Sequence, residues 1–215
     1  MRLLFFGPPG AGKGTQAKKV AQEFQIVHIS TGDILRDAVS KGTELGKMAK
    51  AIMDRGELVS DEIMNSLVKE RLEELDSFIL DGYPRTLDQA KFLDQATKEL
   101  QKEIDAAVLI DVSEEEIVKR ISNRRVCPNC GKVYNLITLQ PKEDEKCDVC
   151  GTKLIQRDDD KEEVVRERYK VYKKNTEPVI EYYRKNNKII TIDGAKNVED
   201  VTKELFNILR SFNKQ

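Results

Sequence analysis

A glycine-rich segment near the start of the chain carries a single lysine and is bordered by two regular elements. The segment reads Gly7-Pro8-Pro9-Gly10-Ala11-Gly12-Lys13-Gly14-Thr15. The apolar run before it, residues 3–6, predicts a buried strand, and residues 16–24 predict the helix that follows. A turn in this place directs several backbone N–H groups into one concavity at the positive end of the helix, and a lysine there can reach the outer phosphates of a nucleotide. We therefore predict a nucleotide phosphate site rather than a glycine turn that binds nothing.

The residue after Lys13 departs from the general phosphate-loop pattern. Most such loops have Ser or Thr there to touch Mg²⁺, whereas this chain has Gly14 and places Thr15 one position later. A carboxylate from elsewhere must then help to hold the metal. Asp81 is our candidate because it ends the apolar run 78–80, at the edge where open α/β sheets bind ligands; a turn or N-cap aspartate is the other interpretation. Asp33 is a weaker second candidate that could equally cap a helix.

All four cysteines lie in two short motifs. These are Cys127-Pro128-Asn129-Cys130 and Cys147-Asp148-Val149-Cys150, with sixteen residues between them. The spacing is typical of a four-thiolate zinc site, and a glycine after each pair lets the backbone amides turn toward the sulfurs. Zinc with four thiolates has no open position to activate water, so we predict a structural metal. Iron in its place, and disulfides or redox-active thiols, are the alternatives; a reducing compartment favours the metal.

Length and charge limit the class of protein. A chain of 215 residues suits one α/β domain with modest insertions. Charged residues make up 35% of it with a formal net charge of −1, which gives no general reason to expect nucleic acid or an anionic membrane as a partner. We find no leader pattern and no run long enough to cross a bilayer. We expect a cytoplasmic monomer, since nothing in the sequence suggests an extended apolar surface.

Apolar runs alternate with helical patterns along the chain. The predicted strands are residues 3–6, 26–29, 78–80, 107–110 and 188–192. The predicted helices are residues 16–24, 31–41, 44–55, 61–74, 86–100, 114–125, 161–186 and 198–212, with Asp61 as an N-cap and Pro178 interrupting the longest. This order predicts a P-loop NTPase-like α/β fold, in which a five-stranded parallel sheet has helices on both faces. Residues 126–157 break the pattern and are predicted to be an insertion.

Several polar motifs occur in a distinctive order. They are His28-Ile29-Ser30-Thr31-Gly32-Asp33, Asp81-Gly82-Tyr83-Pro84-Arg85, Arg120 with Arg124, Gln156-Arg157-Asp158-Asp159 and Arg166-Glu167-Arg168. Together with the glycine-rich loop and the cysteines, they resemble the adenylate kinase family in its long form with a zinc-bearing lid. The resemblance covers essentially the whole chain. It implies reversible, Mg²⁺-dependent phosphoryl transfer from ATP to AMP, which gives two ADP.

The resemblance also implies a role for particular residues. Those implied for AMP are Thr31, Arg36, Glu57, Leu58, Val59, Gly82, Arg85, Gln89, Arg157 and Arg168. Those implied for ATP are Gly10, Ala11, Gly12, Lys13, Gly14, Thr15, Arg120, Arg124, Val133, Tyr134 and Lys196. The catalytic group would be Lys13, Asp81, Arg85, Arg120, Arg124, Arg157 and Arg168, because arginine presents a planar fork suited to phosphate. Gln89 has a donor and an acceptor for the adenine edge, unless it is merely an exposed helix residue, and we expect a structural role for His28.

The same resemblance divides the chain into a core and two mobile insertions. The core would comprise residues 1–29, 60–120 and 159–215, with an AMP-binding insertion at 30–59 and a zinc-bearing lid at 121–158. Closure of both insertions would exclude water, which otherwise accepts the phosphoryl group. The acceptor is a phosphate oxygen that is already largely deprotonated, so no general base is needed.

Three other functions fit part of the pattern. A related kinase could use UMP as acceptor or GTP as donor, although Gln89 and the long lid argue against it. A nucleotide-gated zinc ribbon could bind nucleic acid, but acidic residues at 143, 144, 145 and 148 surround the cysteines and oppose phosphate contact. A phosphate-loop ATPase or switch would need a residue that positions water, and it would hydrolyse ATP without AMP.

Overall fold

The computed structural model describes residues 1–212 and contains one central sheet. Its strands are β1 (Arg2–Phe6), β2 (Val27–Ser30), β3 (Phe78–Asp81), β4 (Ala106–Asp111) and β7 (Ile189–Asp193). They are all parallel, in the order β2-β3-β1-β4-β7. The predicted five-stranded parallel sheet is confirmed, and each strand lies within two residues of its expected bounds.

Nine helices are described in residues 1–212. They are α1 (Lys13–Phe24), α2 (Thr31–Ser40), α3 (Glu44–Asp54), α4 (Asp61–Glu74), α5 (Leu87–Glu99), α6 (Glu114–Ser122), α7 (Glu162–Val171), α8 (Glu177–Lys185) and α9 (Val198–Phe212). A 3₁₀ turn spans Asp158–Asp160, and a π-helical turn spans Tyr172–Thr176. None of these helices is long and apolar enough to cross a membrane.

The central strand β1 is buried on both faces because its side chains alternate between two cores. Leu4 and Phe6 pack in one apolar cluster with residues of α4, α5 and α8. Leu3 and Phe5 pack in the other with residues of α1, α6 and α9. Each side of the sheet is therefore covered by helices, which explains why a parallel strand reads as a continuous apolar run.

The cysteine-bearing segment, residues 121–158, has a separate small structure. Two short strands, β5 (Arg124–Val126) and β6 (Val133–Asn135), pair antiparallel. The predicted helix 114–125 was therefore too long: it ends at Ser122, and Arg124 lies on a strand. The helical pattern continued past the true end because Arg124 and Arg125 have no β-branched or turn character to mark the change.

The start of α4 and the interruption before α8 were both predicted from the sequence. Asp61 was predicted as an N-cap, but Ser60 occupies that position and Asp61 is the first helical residue. The predicted helix 161–186 is interrupted as expected, with Pro178 in the first turn of α8 directly after the π-helical turn. Proline lacks an N–H to continue the helical bonding pattern, so a break just before it is favoured.

Candidate active site

The glycine-rich loop connects β1 to α1 at the carboxyl edge of the sheet. Gly7 has φ +143°, and a Cβ at this position would lie 2.4 Å from the backbone oxygen of Ile110 in β4. The loop therefore passes so close to the neighbouring strand that only glycine fits there. The backbone of α1 begins directly after Gly12, so the positive end of that helix faces the loop.

Lys13 lies across the loop that precedes it. Its Nζ donates to the backbone oxygens of Gly7 at 2.8 Å and Pro8 at 2.9 Å. Burial lowers the pKa of Lys13 from its ordinary 10.5 to about 8. The nearby carboxylate of Asp81 opposes this shift, and the charges of Arg85, Arg168 and Arg124 add to it. Lys13 is thus a cation held among other cations, in a setting that favours an anionic ligand.

Asp81 lies beside the loop, and Gly14 makes room for it. Asp81 ends β3 and is paired in register with Phe5 of β1. A Cβ on Gly14 would lie 3.2 Å from Asp81 Oδ2, so the side chain of the usual Ser or Thr would press on this carboxylate. Glycine at position 14 thus leaves room for the carboxylate that we predict to help hold Mg²⁺.

His28 contacts the same carboxylate from the neighbouring strand. Its Nε2 lies 3.3 Å from Asp81 Oδ2, and both side chains are largely buried. The sequence suggested a structural role for His28 but not this partner. The two residues come together because β2 and β3 are adjacent and parallel in the sheet.

Three of the predicted arginines are each paired with an aspartate. Arg36 donates to Asp33 at 2.6 Å, and Arg168 donates to Asp159 at 2.6 Å. Arg124 makes two bonds to Asp160, whose carboxylate is fully buried. The run Asp158-Asp159-Asp160, directly after Arg157, contains two of these three partners, but nothing in the run shows which arginine each aspartate contacts.

Arg85 and Arg157 lie close to other cations. Burial lowers the pKa of Arg85 to about 10, and the charge of Arg168 contributes. Burial likewise lowers the pKa of Arg157 to about 10, with contributions from Arg36 and Arg124. Arginines from four separated parts of the chain therefore converge near Lys13, as expected for a site that binds several phosphate groups.

A cavity extends from this cationic region between α2, α3, α4 and α5. The AMP-implied residues that line it are Thr31, Arg36, Glu57, Leu58, Val59, Gly82, Arg85, Gln89 and Arg168. Arg157 does not line this cavity. Leu35, Met53 and Met64 add apolar surface. The lining thus combines the cations of the phosphate region with apolar surface and one carboxamide, that of Gln89.

Gln89 is only 2% exposed, so it is not a surface glutamine. Its Oε1 accepts from the backbone N–H of Arg85 at 2.7 Å, and its Nε2 donates to Asp61 Oδ1 at 2.7 Å. The other Asp61 oxygen accepts from Thr86 Oγ1 at 2.7 Å. The exposed-residue interpretation of Gln89 is therefore wrong, and Asp61, which the sequence presented only as a cap, belongs to this network.

Arg120 and Lys196 each pair with a glutamate. Arg120 Nε donates to Glu116 at 2.8 Å, and its Nη2 lies 3.5 Å from the backbone oxygen of Ala195. Lys196 pairs with Glu204 at 2.8 Å. Arg120 therefore lies close to the backbone just before Lys196, and neither residue lines the cavity described above.

Tyr134 points into the cysteine-bearing segment. Its ring is buried with Cys127, Cys147 and Leu154. The phenol lies 3.5 Å from Cys147 Sγ, to which it donates, and it accepts from the backbone N–H of Asp148 at 2.8 Å. The side chain of Tyr134 thus stabilises this segment, which leaves its backbone, with that of Val133, for the expected contact with a nucleotide.

The four cysteine sulfurs are gathered as a metal site requires. All lie within 4.8 Å of one another. Cys127 and Cys150 are 3.4 Å apart, and Cys130 and Cys147 are 3.5 Å apart. A tetrahedron with zinc–sulfur bonds of about 2.3 Å has sulfur–sulfur edges of about 3.8 Å, so the arrangement fits zinc. These separations are too long for the alternative of disulfide bonds, which need about 2.05 Å.

Each cysteine pair is closed by a glycine turn. The N–H of Gly131 donates to the backbone oxygen of Cys127 at 3.0 Å, and Gly151 does the same to Cys147 at 2.8 Å. Both glycines have φ +69°, a left-handed conformation that other residues adopt at a cost. The two turns are therefore equivalent, as the repeated motif predicted.

Comparison with known proteins agrees with this arrangement. The family model for adenylate kinase matches residues 5–188. The chain is 62% identical to an adenylate kinase of Archaeoglobus fulgidus, covering 97% of this chain and 98% of that protein. It is 58% identical to an adenylate kinase of Thermosipho africanus, covering 98% and 100%, and 57% identical to one of Fervidobacterium nodosum over the full length of both chains. The chain therefore belongs to the adenylate kinase family, the nucleoside monophosphate kinases that transfer a phosphoryl group between adenine nucleotides.

Proposed function

We propose that the chain transfers the terminal phosphoryl group of Mg-ATP to AMP, with the two nucleotides on opposite sides of Lys13. The observation that carries this proposal is the convergence of Asp81, Arg85, Arg124 and Arg168 around Lys13. AMP would occupy the cavity between α2 and α5, with its phosphate at the cationic end near Arg36 and Arg85. ATP would lie on the glycine-rich loop, with its phosphates near Arg120 and Arg124 and its base toward Val133, Tyr134 and the backbone near Lys196.

Such a site works by alignment and charge neutralisation. The second pKa of a phosphate is about 6, so the attacking oxygen of AMP is already deprotonated at neutral pH and needs no base. Asp81 is the residue that would hold Mg²⁺ and its water, and the metal would supply charge neutralisation at the phosphates. Lys13 and the arginines would orient both anions in line and stabilise the charge that spreads during transfer.

The two insertions have separate duties in this proposal. Residues 30–59 carry Arg36 to the AMP phosphate, and residues 121–158 carry Arg124 over ATP. The second segment has its own small core around Cys127, Tyr134, Cys147 and Leu154, which supports treating it as a unit that can move as a lid. Closure of both over bound nucleotides would exclude water from the phosphoryl group.

The cysteine cluster is assigned to structural Zn²⁺. Four thiolates fill the coordination shell, so no position remains for water or substrate. Cysteines that are not joined in disulfides persist in a reducing compartment, which supports a cytoplasmic location. Acidic residues flank the cysteines and oppose contact with the phosphates of a nucleic acid. The monomeric state is a separate prediction.

A panel of acceptors tests the proposed function. Purified protein is mixed with Mg²⁺, ATP and either AMP, UMP, GMP or no acceptor, and diphosphate formation is followed. We expect ADP to form rapidly only with AMP, two ADP per ATP consumed, and to need Mg²⁺. Equal rates with UMP would assign a different acceptor. Steady ADP formation without any acceptor would mean an ATPase instead.

We predict that ATP binding takes up a proton at Lys13 above pH 8. Free protein holds this amine with a pKa of about 8, and bound phosphates should raise that pKa. Below pH 8 both states are protonated and Lys13 adds no pH dependence. Above pH 8 only the complex keeps the proton, so affinity should fall by up to about tenfold per pH unit.

Calorimetry of ATP binding at pH 9 in two buffers of different ionisation enthalpy measures this uptake. We expect the native protein to take up more than about half a proton per ATP, and Lys13→Met to lose this uptake. Equal uptake in both proteins would assign the titration to another group.

A further inference from the structure

The Gln89 carboxamide is held in one orientation at the wall of the cavity. Gln89 lies in the first turn of α5 and lines the cavity, almost entirely removed from solvent. A carboxamide has a donor end and an acceptor end of nearly the same size, so rotation by half a turn exchanges them. The hydrogen-bonding groups of a base that can pair with Gln89 therefore depend on the residues that fix the orientation of the carboxamide.

Two partners of opposite character hold the Gln89 carboxamide. The backbone N–H of Arg85 can only donate, and it is paired with Oε1 at 2.7 Å. The carboxylate of Asp61, when ionised, can only accept, and it is paired with Nε2 at 2.7 Å. The reversed orientation would set N–H against N–H and oxygen against a carboxylate oxygen. The two contacts thus permit one orientation and penalise the other twice.

Asp61 is itself fixed in place. Its second oxygen accepts from Thr86 Oγ1, and the same hydroxyl accepts from the backbone N–H of Gln89 at 3.1 Å, which caps α5. Asp61 stands on the first turn of α4, so the carboxylate ties the start of that helix to the start of α5. Its direction toward Gln89 is consequently determined by two hydrogen bonds rather than one.

The fixed carboxamide still has one N–H and one lone pair for a ligand. Adenine presents a donor at N6 and an acceptor at N1, whereas hypoxanthine presents an acceptor at O6 and a donor at N1. A base held in one position can pair with adenine in one carboxamide orientation and with hypoxanthine only in the reverse. Locking the orientation therefore selects between 6-amino and 6-oxo purines.

We propose that Asp61 is a specificity-determining positioning residue, which locks the Gln89 carboxamide in the orientation that accepts AMP and rejects 6-oxopurine monophosphates. This inference rests on the proposed binding of AMP in the cavity. Asp61 acts through Gln89 and does not itself touch the nucleotide. Removing its acceptor leaves only the Arg85 N–H to oppose the reversed orientation.

The test compares AMP with IMP as acceptor in Asp61→Asn and Asp61→Leu, two replacements of nearly the same shape. Asparagine offers a donor as well as an acceptor, and leucine offers neither. In Asp61→Leu we expect the ratio of kcat/KM for AMP over IMP to fall about tenfold, the range of one bidentate base contact. In Asp61→Asn we expect a smaller fall, because asparagine keeps an oxygen that can accept from Gln89 Nε2. The change should come from a higher KM for AMP and a lower KM for IMP, with KM for ATP unchanged.

The matched control is Glu62→Gln, which removes the adjacent exposed charge from the same first helical turn without touching Gln89. It should keep the native AMP/IMP ratio. An unchanged ratio in both Asp61 variants, or an equal loss for both nucleotides, would overturn the inference, since it would assign Asp61 to folding alone. Failure of the native protein to phosphorylate AMP would instead defeat the proposed function, and the inference with it.

Discussion

Replacing Lys13 by methionine should lower kcat for ADP formation by about 100- to 1,000-fold, as removal of a preorganised charge at developing anions commonly does. Lys13 lies where Asp81, Arg85, Arg124 and Arg168 all act on its charge, so it faces the region where phosphates would be aligned. Methionine keeps the length and apolar character of the stem and removes only the ammonium group.

The same substitution should leave the protein stable. The pKa of Lys13 is lower in the folded protein than its ordinary value of 10.5. The protonated Lys13 therefore lowers the free energy of unfolding at neutral pH. This penalty decreases as pH rises above about 8, where Lys13 loses its proton in the folded protein. Removing the charge thus relieves a penalty while breaking two hydrogen bonds to backbone oxygens, and we expect the melting temperature to move by no more than about 3 °C.

Lys19→Met is the control for the loss of a lysine from α1. Lys19 lies on the outer part of the same helix and pairs with Glu199 at 2.8 Å, away from the loop. Surface ion pairs contribute at most about 1 kcal/mol, so this variant should keep both kcat and melting temperature. Steady-state assays and thermal melts on the three proteins decide the matter. A Lys13→Met enzyme with nearly native turnover would remove Lys13 from the mechanism.

The parts of this molecule that were predictable from sequence are those specified by local patterns. The glycine-rich loop lies between an apolar run and a helix, and each parallel strand is a short apolar segment buried on both faces. The paired cysteine motifs are followed by Gly131 and Gly151, and both glycines adopt the left-handed turn that the motif requires. In each case the signal and the structure it specifies lie within a few residues.

The contacts that escaped prediction join residues far apart in the chain. His28 meets Asp81 through strand register, Arg124 meets Asp160 at the base of the cysteine-bearing segment, and Asp61 meets Gln89 between two helix starts. No periodicity records such a pairing, because each partner is an ordinary charged or polar residue in its own neighbourhood. The sequence likewise did not predict that the Tyr134 side chain contacts Cys147, because the two residues are thirteen positions apart.

Cys130→Ser should lower thermal stability far more than it lowers activity at low temperature. The core of the cysteine-bearing segment consists of Cys127, Tyr134, Cys147 and Leu154, which is too little apolar surface to hold a fold without help. Structural zinc sites supply about 10–16 kcal/mol of apparent binding energy in small domains, and losing one of four ligands removes a large part of it. We expect the first melting transition to fall by about 10 °C or more.

Glu143→Gln is a suitable control, because it changes an exposed residue of the same segment whose carboxylate pairs with Lys146. It should shift melting by less than about 2 °C, since such surface pairs contribute little. Metal analysis of the native protein should give one zinc per chain, and the same measurement would detect iron if iron occupies the site.

Activity at low temperature should survive in Cys130→Ser because the catalytic arginines are anchored outside the cysteine cluster. Arg124 is held by Asp160, and Arg168 by Asp159, and none of these bonds involves a sulfur. Where the segment still folds, those anchors keep the cations in place, and kcat at 25 °C should stay within about threefold of native, the change produced by well under 1 kcal/mol. A folded variant with native melting but no activity would show that the metal does more than hold the segment together.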